Sequence, residues 1–197
     1  MMAPHIYRQP IVREIEVDQL AEITDEEADA GEDNGLEGNQ QYRDIRSIDW
    51  DFVAEALERE KALFARFGAA ANLDDEADLY AEEIEEAVFP EEDLWGLDVG
   101  VIGAVMALSA LGAVTVSSCN AGGFGGSHVE RFPLVAFFLP RAAAAEVFAI
   151  AETADVGLDM TDGGLVRLYG RTDFDLHRFA EKALARRHDS EPSGANS

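Results

Sequence analysis

The side chains that could do chemistry are concentrated in one glycine-rich segment, between residues 117 and 131. This segment holds Cys119, the only cysteine of the chain, together with His128 and Glu130. A thiol becomes a strong nucleophile when a neighbouring base or a positive field lowers its pKa. Cys119 and His128 are therefore the candidate catalytic residues, with Glu130 or Asn120 as the group that orients the imidazole.

The residues Cys119, His128 and Glu130 could also be metal ligands. Sulfur and imidazole together suit zinc. Three ligands without a Cys-x-x-Cys pair form a weak pattern, however. The sequence alone therefore predicts no metal site, and it identifies no cofactor.

A third hypothesis is that the segment binds a small molecule or an anion. Glycine permits close approach of the backbone to a ligand, and backbone N–H groups can hold an anion. The segment leads into a predicted strand rather than a helix, so a P-loop type of phosphate site is not predicted. The candidate binding residues are Ser117, Ser118, Asn120, Gly122, Gly123, Glu130 and Arg131.

A structural role is the fourth possibility. Cys119 would then be a small apolar residue at the end of a strand, and the glycines would allow a sharp crossing of the chain. Under this interpretation the thiol is buried and slow to react. We expect this outcome for Cys119, with Ser117, Ser118 and the glycines forming the binding site.

Two apolar segments flank the glycine-rich segment, and we predict that they are adjacent strands of one sheet. They cover residues 113–118 and 133–139, and the second is entirely apolar, as is typical of a central strand. A helix over 141–154 and a hairpin over 157–169 follow. This order predicts an α+β fold of two layers, in which a mostly antiparallel sheet carries helices on one face and an acidic helical hairpin precedes it.

Two further helices belong to the predicted core. The uncharged residues 99–111 indicate a buried helix that Asp98 caps. Their glycines and their lack of basic flanks argue against a membrane span. In the last helix, His177 lies beside an apolar stripe, where an ordinary surface pair with Glu181 is expected.

The N-terminal half is predicted to contain two acidic helices, one capped by Asp49 and running to about Phe67, the other covering 74–89. Residues 24–41 are nearly devoid of large apolar side chains, which predicts a flexible acidic loop. We therefore expect the chain through about residue 46 to be dispensable for folding. The predicted organisation is an acidic, partly disordered arm (1–46), an acidic helical pair (47–93), an α/β core domain (94–187) and a disordered tail (188–197).

The net charge of −25 is unevenly distributed. Residues 1–100 hold 29 acidic and 7 basic side chains, whereas residues 101–197 hold 11 and 8. Such a surface repels phosphate backbones, so nucleic acid is not an expected partner. A single cysteine excludes an intrachain disulfide, and the first residues do not resemble a secretion signal. We expect a soluble, cytoplasmic protein.

One motif carries a resemblance to known proteins. The run Ser117-Ser118-Cys119-Asn120-x-Gly122-Gly123, followed by His128-x-Glu130-x-x-Pro133, resembles a group of uncharacterised bacterial proteins with no established activity. Because that group has no known activity, the resemblance implies no function.

A second resemblance is more distant. Ser117-Ser118-Cys119 at the end of a strand, before a proline-led apolar strand and a helix, is similar to the wybutosine-synthesising tRNA methyltransferase family over residues 105–185 at most. There a Ser-Ser-Cys-Ser-Gly-Arg motif lies at the site that uses S-adenosylmethionine. The resemblance implies that these three residues border a pocket. It does not imply methyl transfer, because Asn120-Ala121 replaces Ser-Gly and the next arginine is Arg131.

Two functional hypotheses from different classes follow. The first is a domain that binds a small molecule or an anion, and that could be an enzyme, with its site at residues 117–130. The second is a non-catalytic interaction protein whose acidic N-terminal half binds a basic protein partner. A concave pocket at the glycine-rich segment would favour the first.

Overall fold

The computed structural model describes residues 4–46, 48–92, 94–126, 128 and 130–190. Within these ranges the chain has an α+β fold of six α-helices and a four-stranded antiparallel sheet. The helices are α1 (Asp25–Asn34), α2 (Trp50–Ala69), α3 (Leu73–Glu86), α4 (Ile102–Ala110), α5 (Arg141–Ala154) and α6 (Asp175–Ser190). The strands are β1 (Val114–Cys119), β2 (Leu134–Phe138), β3 (Gly157–Met160) and β4 (Val166–Tyr169).

The strands lie in the order β1-β2-β4-β3, and each neighbouring pair is antiparallel. β2 lies inside the sheet and is buried over most of its length, because a strand covered on both faces must be apolar throughout. β1 lies at one edge. The predicted pairing of the two strands that flank the glycine-rich segment is confirmed, and so is the hairpin of β3 and β4.

The helices cover one face of the sheet. Val135 and Phe137 of β2 belong to the main apolar cluster, together with buried residues of α2, α4, α5 and α6. The alternate residues Leu134 and Ala136 lie on the other face, where Ile11 of the N-terminal arm packs against their cluster. This division follows from the two-residue period of a strand. The predicted layer of helices is confirmed, and the arm covers part of the opposite face.

α4 is buried, and a residue of α2 caps its first turn. The carboxylate of Glu60 accepts hydrogen bonds from the backbone N–H groups of Gly100 (2.9 Å), Ile102 (2.9 Å) and Gly103 (3.1 Å). A carboxylate suits this place because the first N–H groups of a helix lack partners within it and carry partial positive charge. The predicted cap by Asp98 is therefore wrong.

His177 is a partner of Glu60 inside the protein. Its Nδ1 lies 2.6 Å from Glu60 Oε2, and the two side chains are 6 % and 0 % exposed. The ring also meets Phe64 edge to face. The predicted surface location of His177 is wrong, although its Nε2 does lie 3.6 Å from a carboxylate oxygen of Glu181.

Residues 25–34, predicted to belong to a flexible loop, form α1. Thr24 accepts a hydrogen bond from the Glu27 N–H, and the Glu27 carboxylate accepts one from the Thr24 N–H, which makes a capping box. Tyr42, a little further along, is buried. The loop prediction is wrong over α1 because local capping bonds define this helix despite its low apolar content.

The N-terminal arm is tied to the core by backbone hydrogen bonds. Leu158 of β3 donates to the carbonyl of Val12 and accepts from the N–H of Glu14, both at 2.8 Å. The Tyr7 N–H donates to the Arg171 carbonyl at 2.8 Å. This packing argues against the expectation that the chain through residue 46 is dispensable.

α2 and α3 form the predicted acidic helical hairpin. Arg66 of α2 pairs with Glu76 and Glu83 of α3, and Arg59 donates to the carbonyl of Glu91 beyond the end of α3. The two helices therefore run in opposite directions. α3 contains no buried residue, which explains why so many acidic side chains are accommodated on it.

The C-terminal helix is longer than the sequence indicated. α6 extends to Ser190, so residues 188–190 of the predicted disordered tail are helical, and residues 191–197 lie outside the described residues. Over the part of the chain that the structure describes, we find no helix with the length and apolar content needed to cross a membrane.

Candidate functional site

β1 positions the first candidate residues at the edge of the sheet. A β-bulge at Val116 adds one residue to β1 relative to β2, and a bulge changes the direction of the side chains that follow it. Ser117 is exposed, Ser118 is half-buried, and Cys119 is buried. The two hydroxyls therefore lie towards the surface and the thiol towards the interior.

Asn120 folds the loop after β1 onto the start of α4. Its Oδ1 accepts the Gly122 N–H at 2.8 Å and its Nδ2 donates to the Val99 carbonyl at 3.0 Å. The residue between, Ala121, has a left-handed φ of 58°. Because both ends of its amide are engaged in the interior, Asn120 positions the loop rather than offering itself to a ligand.

The glycines of the loop allow tight folding. Gly123 lies so close to Asp173 that a Cβ atom would come within 2.1 Å of a carboxylate oxygen. Four glycine N–H groups donate to acceptors within the protein, at distances from 2.8 to 3.3 Å: those of Gly122, Gly123, Gly125 and Gly126. These donors are therefore not directed at an anion.

Phe124, in the middle of the glycine run, anchors the loop. Its side chain is 1 % exposed, stacks on Phe64 with centroids 5.3 Å apart, and meets Phe67 edge to face at 5.8 Å. Burial of an aromatic ring is a large stabilising contribution. A single aromatic residue among glycines was a signal that the sequence analysis missed, and it fixes the part of the loop that precedes His128.

The imidazole of His128 lies between a thiol and a carboxylate. Its Nδ1 is 3.4 Å from Cys119 Sγ and 3.4 Å from Asp98 Oδ2, and its Nε2 is 3.0 Å from the Gly125 carbonyl oxygen. A carbonyl oxygen can only accept, so Nε2 carries a proton, and Nδ1 faces the other two groups. The fold thus brings together the two candidate catalytic residues.

Burial raises the pKa of the Cys119 thiol above its ordinary value. Hydrogen bonds from the backbone N–H groups of Ala121 and Glu130 act in the opposite direction, whereas the carboxylates of Asp98 and Glu130 raise the pKa further. A thiol with a raised pKa is protonated at neutral pH and is a poor nucleophile at rest. These surroundings favour the slowly reacting thiol over the catalytic one.

Asp98 is the member of the cluster that the sequence analysis did not identify. Its carboxylate accepts the Asn120 N–H at 3.4 Å and is 37 % exposed. Burial raises the pKa of this carboxyl, while His128 and the Asn120 N–H act to lower it. An acidic residue before an apolar run is the usual signal of a helix cap, and no local pattern connects Asp98 with the loop after β1.

A cleft of about 500 Å³ lies beside the cluster, between β1 and residues 37–45. Ser117, Ser118 and Asp98 belong to its lining, so the cleft and the cluster share Asp98. Asn39 joins the two walls by donating from Nδ2 to the Val116 carbonyl at 2.7 Å. The volume is within the range of small-molecule sites.

Two side chains from distant parts of the chain complete the cleft, Trp95 and Arg43. Trp95 has a φ of 57° and a ψ of 25°, a left-handed conformation that is rare for a bulky residue. Strained residues of this kind concentrate at functional sites. Arg43 is exposed, and no residue in the described ranges forms an ion pair with it.

The charged pair at the end of the glycine-rich segment lies outside the cleft. Glu130 and Arg131 are exposed, and neither belongs to the lining of the cleft. The arginine in the lining of the cleft is Arg43, whereas the sequence pointed to Arg131. Since residue 43 follows a stretch predicted to be flexible, the sequence contained no signal for this role.

Comparisons of the chain with protein-family models, with curated proteins and with solved structures find no match. The resemblances to the uncharacterised bacterial group and to the wybutosine-synthesising family therefore stay predictions. What defines this protein is its own geometry, an α+β fold in which a cluster of carboxylate, thiol and imidazole borders a polar cleft. The cluster can hold a proton or a cation, and the cleft can hold a small polar molecule.

Proposed function

We propose that this protein binds a small polar molecule with an anionic group in the cleft between β1 and residues 37–45. The observation that carries the proposal is the lining of this cleft, where the hydroxyl-bearing Ser117 and Ser118 occur together with Arg43. Hydroxyls and a planar guanidinium are suitable donors for a carboxylate or a phosphate. The proposal concerns binding and includes no catalytic step.

Among the residues that the structure describes, Arg43 has no ion-pair partner, and this supports the proposal because the chain is so acidic, with 40 acidic and 15 basic residues. Arg13, Arg46 and Arg66 all have carboxylate partners. A guanidinium that has none among the described residues, and that lines a cleft, is available for a ligand. The presence of Glu37 and Asp98 in the same lining disfavours a polyanion and favours a ligand with one anionic group.

Trp95 provides a direct readout of the cleft. The chain has two tryptophans, so Trp50→Phe leaves Trp95 as the only indole. We expect a saturable change in its fluorescence on titration with at least one of inorganic phosphate, lactate and AMP. In this background Arg43→Gln should raise Kd about tenfold or more, since a hydrogen bond to a charged group contributes about 1.5–3 kcal/mol.

Arg131→Gln is the matched control, because Arg131 is also an exposed arginine but lies outside the cleft. It should leave Kd unchanged. The proposal fails if none of the three anions gives a saturable response. It also fails if Arg131→Gln weakens binding while Arg43→Gln does not, because the site would then lie at the end of the glycine-rich segment.

A further inference from the structure

Asp98, Cys119 and His128 bring together three atoms that can each bind a metal ion. A carboxylate oxygen, the sulfur and an imidazole nitrogen from these residues lie within 4.8 Å of one another. The Nε2 proton of His128 is directed away, towards the Gly125 carbonyl, so Nδ1 faces the other two ligand atoms. Such a convergence is the arrangement that a cation requires.

We propose that Asp98, Cys119 and His128 bind one divalent transition-metal ion, with Zn²⁺ as the ion that best suits these donors. Tetrahedral zinc, with bonds of about 2.3 Å to sulfur and about 2.0–2.1 Å to nitrogen and oxygen, places S and N about 3.6 Å apart and N and O about 3.3 Å apart. The corresponding distances here are both 3.4 Å. Two of the three ligand pairs therefore already have nearly the spacing that zinc needs, and the third pair, sulfur and carboxylate oxygen, lies within 4.8 Å.

The surroundings of each ligand support a metal rather than a chance contact. A metal-binding histidine almost always donates its second N–H to a carbonyl or a carboxylate, which fixes the tautomer. His128 donates from Nε2 to Gly125 in this way at 3.0 Å. The Ala121 N–H donates to Cys119 Sγ at 3.3 Å, and the Asn120 N–H to Asp98 Oδ2 at 3.4 Å. All three ligands are thus oriented by the backbone of one loop.

Charge balance also favours a divalent ion. On binding, the Cys119 thiol releases its proton to solvent and the sulfur forms a bond to the metal, with no change of oxidation state. A thiolate, a carboxylate and Zn²⁺ then sum to zero charge. A neutral assembly suits a place where Cys119 is 8 % exposed and the His128 side chain 14 % exposed, because unpaired charge is costly to bury.

The donor types select the metal. Thiolate and imidazole suit zinc and disfavour Mg²⁺ and Ca²⁺, which take oxygen ligands. Three protein ligands leave a fourth position for water or another exchangeable ligand, the pattern of zinc sites that are not purely structural. The proposal goes beyond the cleft ligand and does not depend on it, since the two sites share only Asp98.

The test is a titration of the full-length, chelator-treated protein with Zn²⁺ and Co²⁺ in the presence of excess Mg²⁺, which occupies weak surface carboxylates. Calorimetry should give one Zn²⁺ per chain and the release of a proton. Co²⁺ should give a thiolate-to-metal charge-transfer band together with visible bands of tetrahedral intensity. Cys119→Ser, His128→Ala and Asp98→Asn should each weaken Zn²⁺ binding by at least about 100-fold, more than the loss of a supporting group produces.

Two control variants sharpen the result, and circular dichroism establishes that each variant is folded. His188→Ala removes an exposed histidine of α6, and Glu130→Gln removes the acid that the sequence would choose as third ligand. Both should bind Zn²⁺ normally. The proposal is overturned if the parent protein binds no Zn²⁺ in excess Mg²⁺, if the Co²⁺ complex lacks the charge-transfer band, or if Glu130→Gln abolishes binding while Asp98→Asn does not.

The two proposals fail independently. Arg43→Gln should impair the fluorescence response to anions and leave Zn²⁺ affinity unchanged. His128→Ala should abolish Zn²⁺ binding, and anion binding measured in the presence of a chelator should be unaffected. Loss of both anion binding and Zn²⁺ binding in either variant would show that the cleft and the cluster form one site, and would refute the proposal that they are two.

Discussion

Replacing Glu60 by glutamine tests whether one buried carboxylate holds the start of α4 in place. Glu60 is fully buried, and its two oxygens accept four hydrogen bonds. Oε1 accepts from Gly100 and Ile102, while Oε2 accepts from Gly103 and lies 2.6 Å from His177 Nδ1. Glutamine has nearly the same shape but replaces one acceptor oxygen by a donor.

The magnitude follows from which hydrogen bonds survive. The amide oxygen of glutamine can replace Oε1, and its NH2 group can donate to His177 if the imidazole moves its proton to Nε2. Only the Gly103 N–H then lacks an acceptor, at a cost of about 1–3 kcal/mol, and the other bonds lose the contribution of the charge. Breaking a buried charged pair outright costs about 3–5 kcal/mol. We therefore expect a loss of about 3 kcal/mol in the free energy of unfolding.

Urea denaturation followed by far-ultraviolet circular dichroism measures this loss. The midpoint should fall while the m-value is unchanged, because the surface exposed on unfolding stays the same. In a protein of this size, about 3 kcal/mol corresponds to a decrease in Tm of about 6–12 °C. Glu60→Leu should be more destabilising than Glu60→Gln, since it leaves every donor without an acceptor.

Glu58→Gln is the matched control on the same helix. Its carboxylate is exposed and pairs with Lys61 at the surface, so its removal should change stability by less than about 0.5 kcal/mol. If Glu60→Gln is as mild as Glu58→Gln, the carboxylate does not fix α4 and the reasoning is refuted. The same conclusion would follow if Glu60→Leu proved as stable as the parent protein.

Three further predictions concern the loop and the cluster. Gly123→Ala should lower the free energy of unfolding, measured by urea denaturation, by about 1–3 kcal/mol, because the new Cβ would collide with Asp173. Gly163→Ala is the control and should not lower it, because a Cβ at that position would be 3.8 Å from its nearest neighbour. Cys119 in the native, metal-free protein should react with iodoacetamide more slowly than free cysteine at neutral pH, because burial raises its pKa; equal or faster alkylation would contradict this. Burial also raises the pKa of Asp98, so its stabilising contribution is present at low pH and is lost as the pH rises through the folded-state value. Asp98→Asn should therefore raise the Tm of the metal-free protein at neutral pH, and the Tm difference between variant and parent should become smaller as the pH is lowered. A Tm that is the same for variant and parent at every pH would contradict this, because it is the result expected for a fully solvated carboxyl.

The local sequence pattern was sufficient to predict those helices and strands whose burial follows from the periodicity of their own residues. The apolar run of β2 predicted a central strand, and Asp49 predicted the start of α2, where its side chain accepts the Phe52 N–H. Pro140 similarly marked the start of α5. In each case the signal and the structure it specifies lie within a few residues of one another, so no tertiary information is needed.

α1 shows a local signal that was present and overlooked. Thr24-Asp25-Glu26-Glu27 has the spacing of a capping box, and the structure contains both of its hydrogen bonds. The acidic, apolar-poor composition of the stretch predicted disorder instead. Composition indicates how much apolar surface a segment can bury, and α1 buries little beyond Ala28 and Gly31. The capping hydrogen bonds therefore define this helix, although its composition predicted disorder.

The polar partners at the site could not be predicted from spacing. Asp98 and Asn120 are 22 positions apart, Glu60 and Gly100 are 40 apart, and Glu60 and His177 are 117 apart. Nothing in the helix pattern of α2 distinguishes Glu60 from the exposed acids around it. Arg43 was missed for the same reason, since the packing of residues 37–45 against β1 determines its place beside the cleft.

The two polar clusters of this protein, around Glu60 and around Asp98, differ in how well their donors match their acceptors. This difference distinguishes a cluster that stabilises the fold from one proposed to bind a metal. Around Glu60 the carboxylate oxygens meet three backbone N–H groups and an imidazole, so these oxygens have donors and the carboxylate stabilises the helix that it caps. Around Asp98 a carboxylate oxygen, a sulfur and an imidazole nitrogen lie within 4.8 Å of one another. A folded chain gains no stability from bringing three electron-rich atoms together. The arrangement becomes favourable when a cation joins it, which is why loss of Glu60 should reduce stability and loss of Asp98 should reduce metal binding.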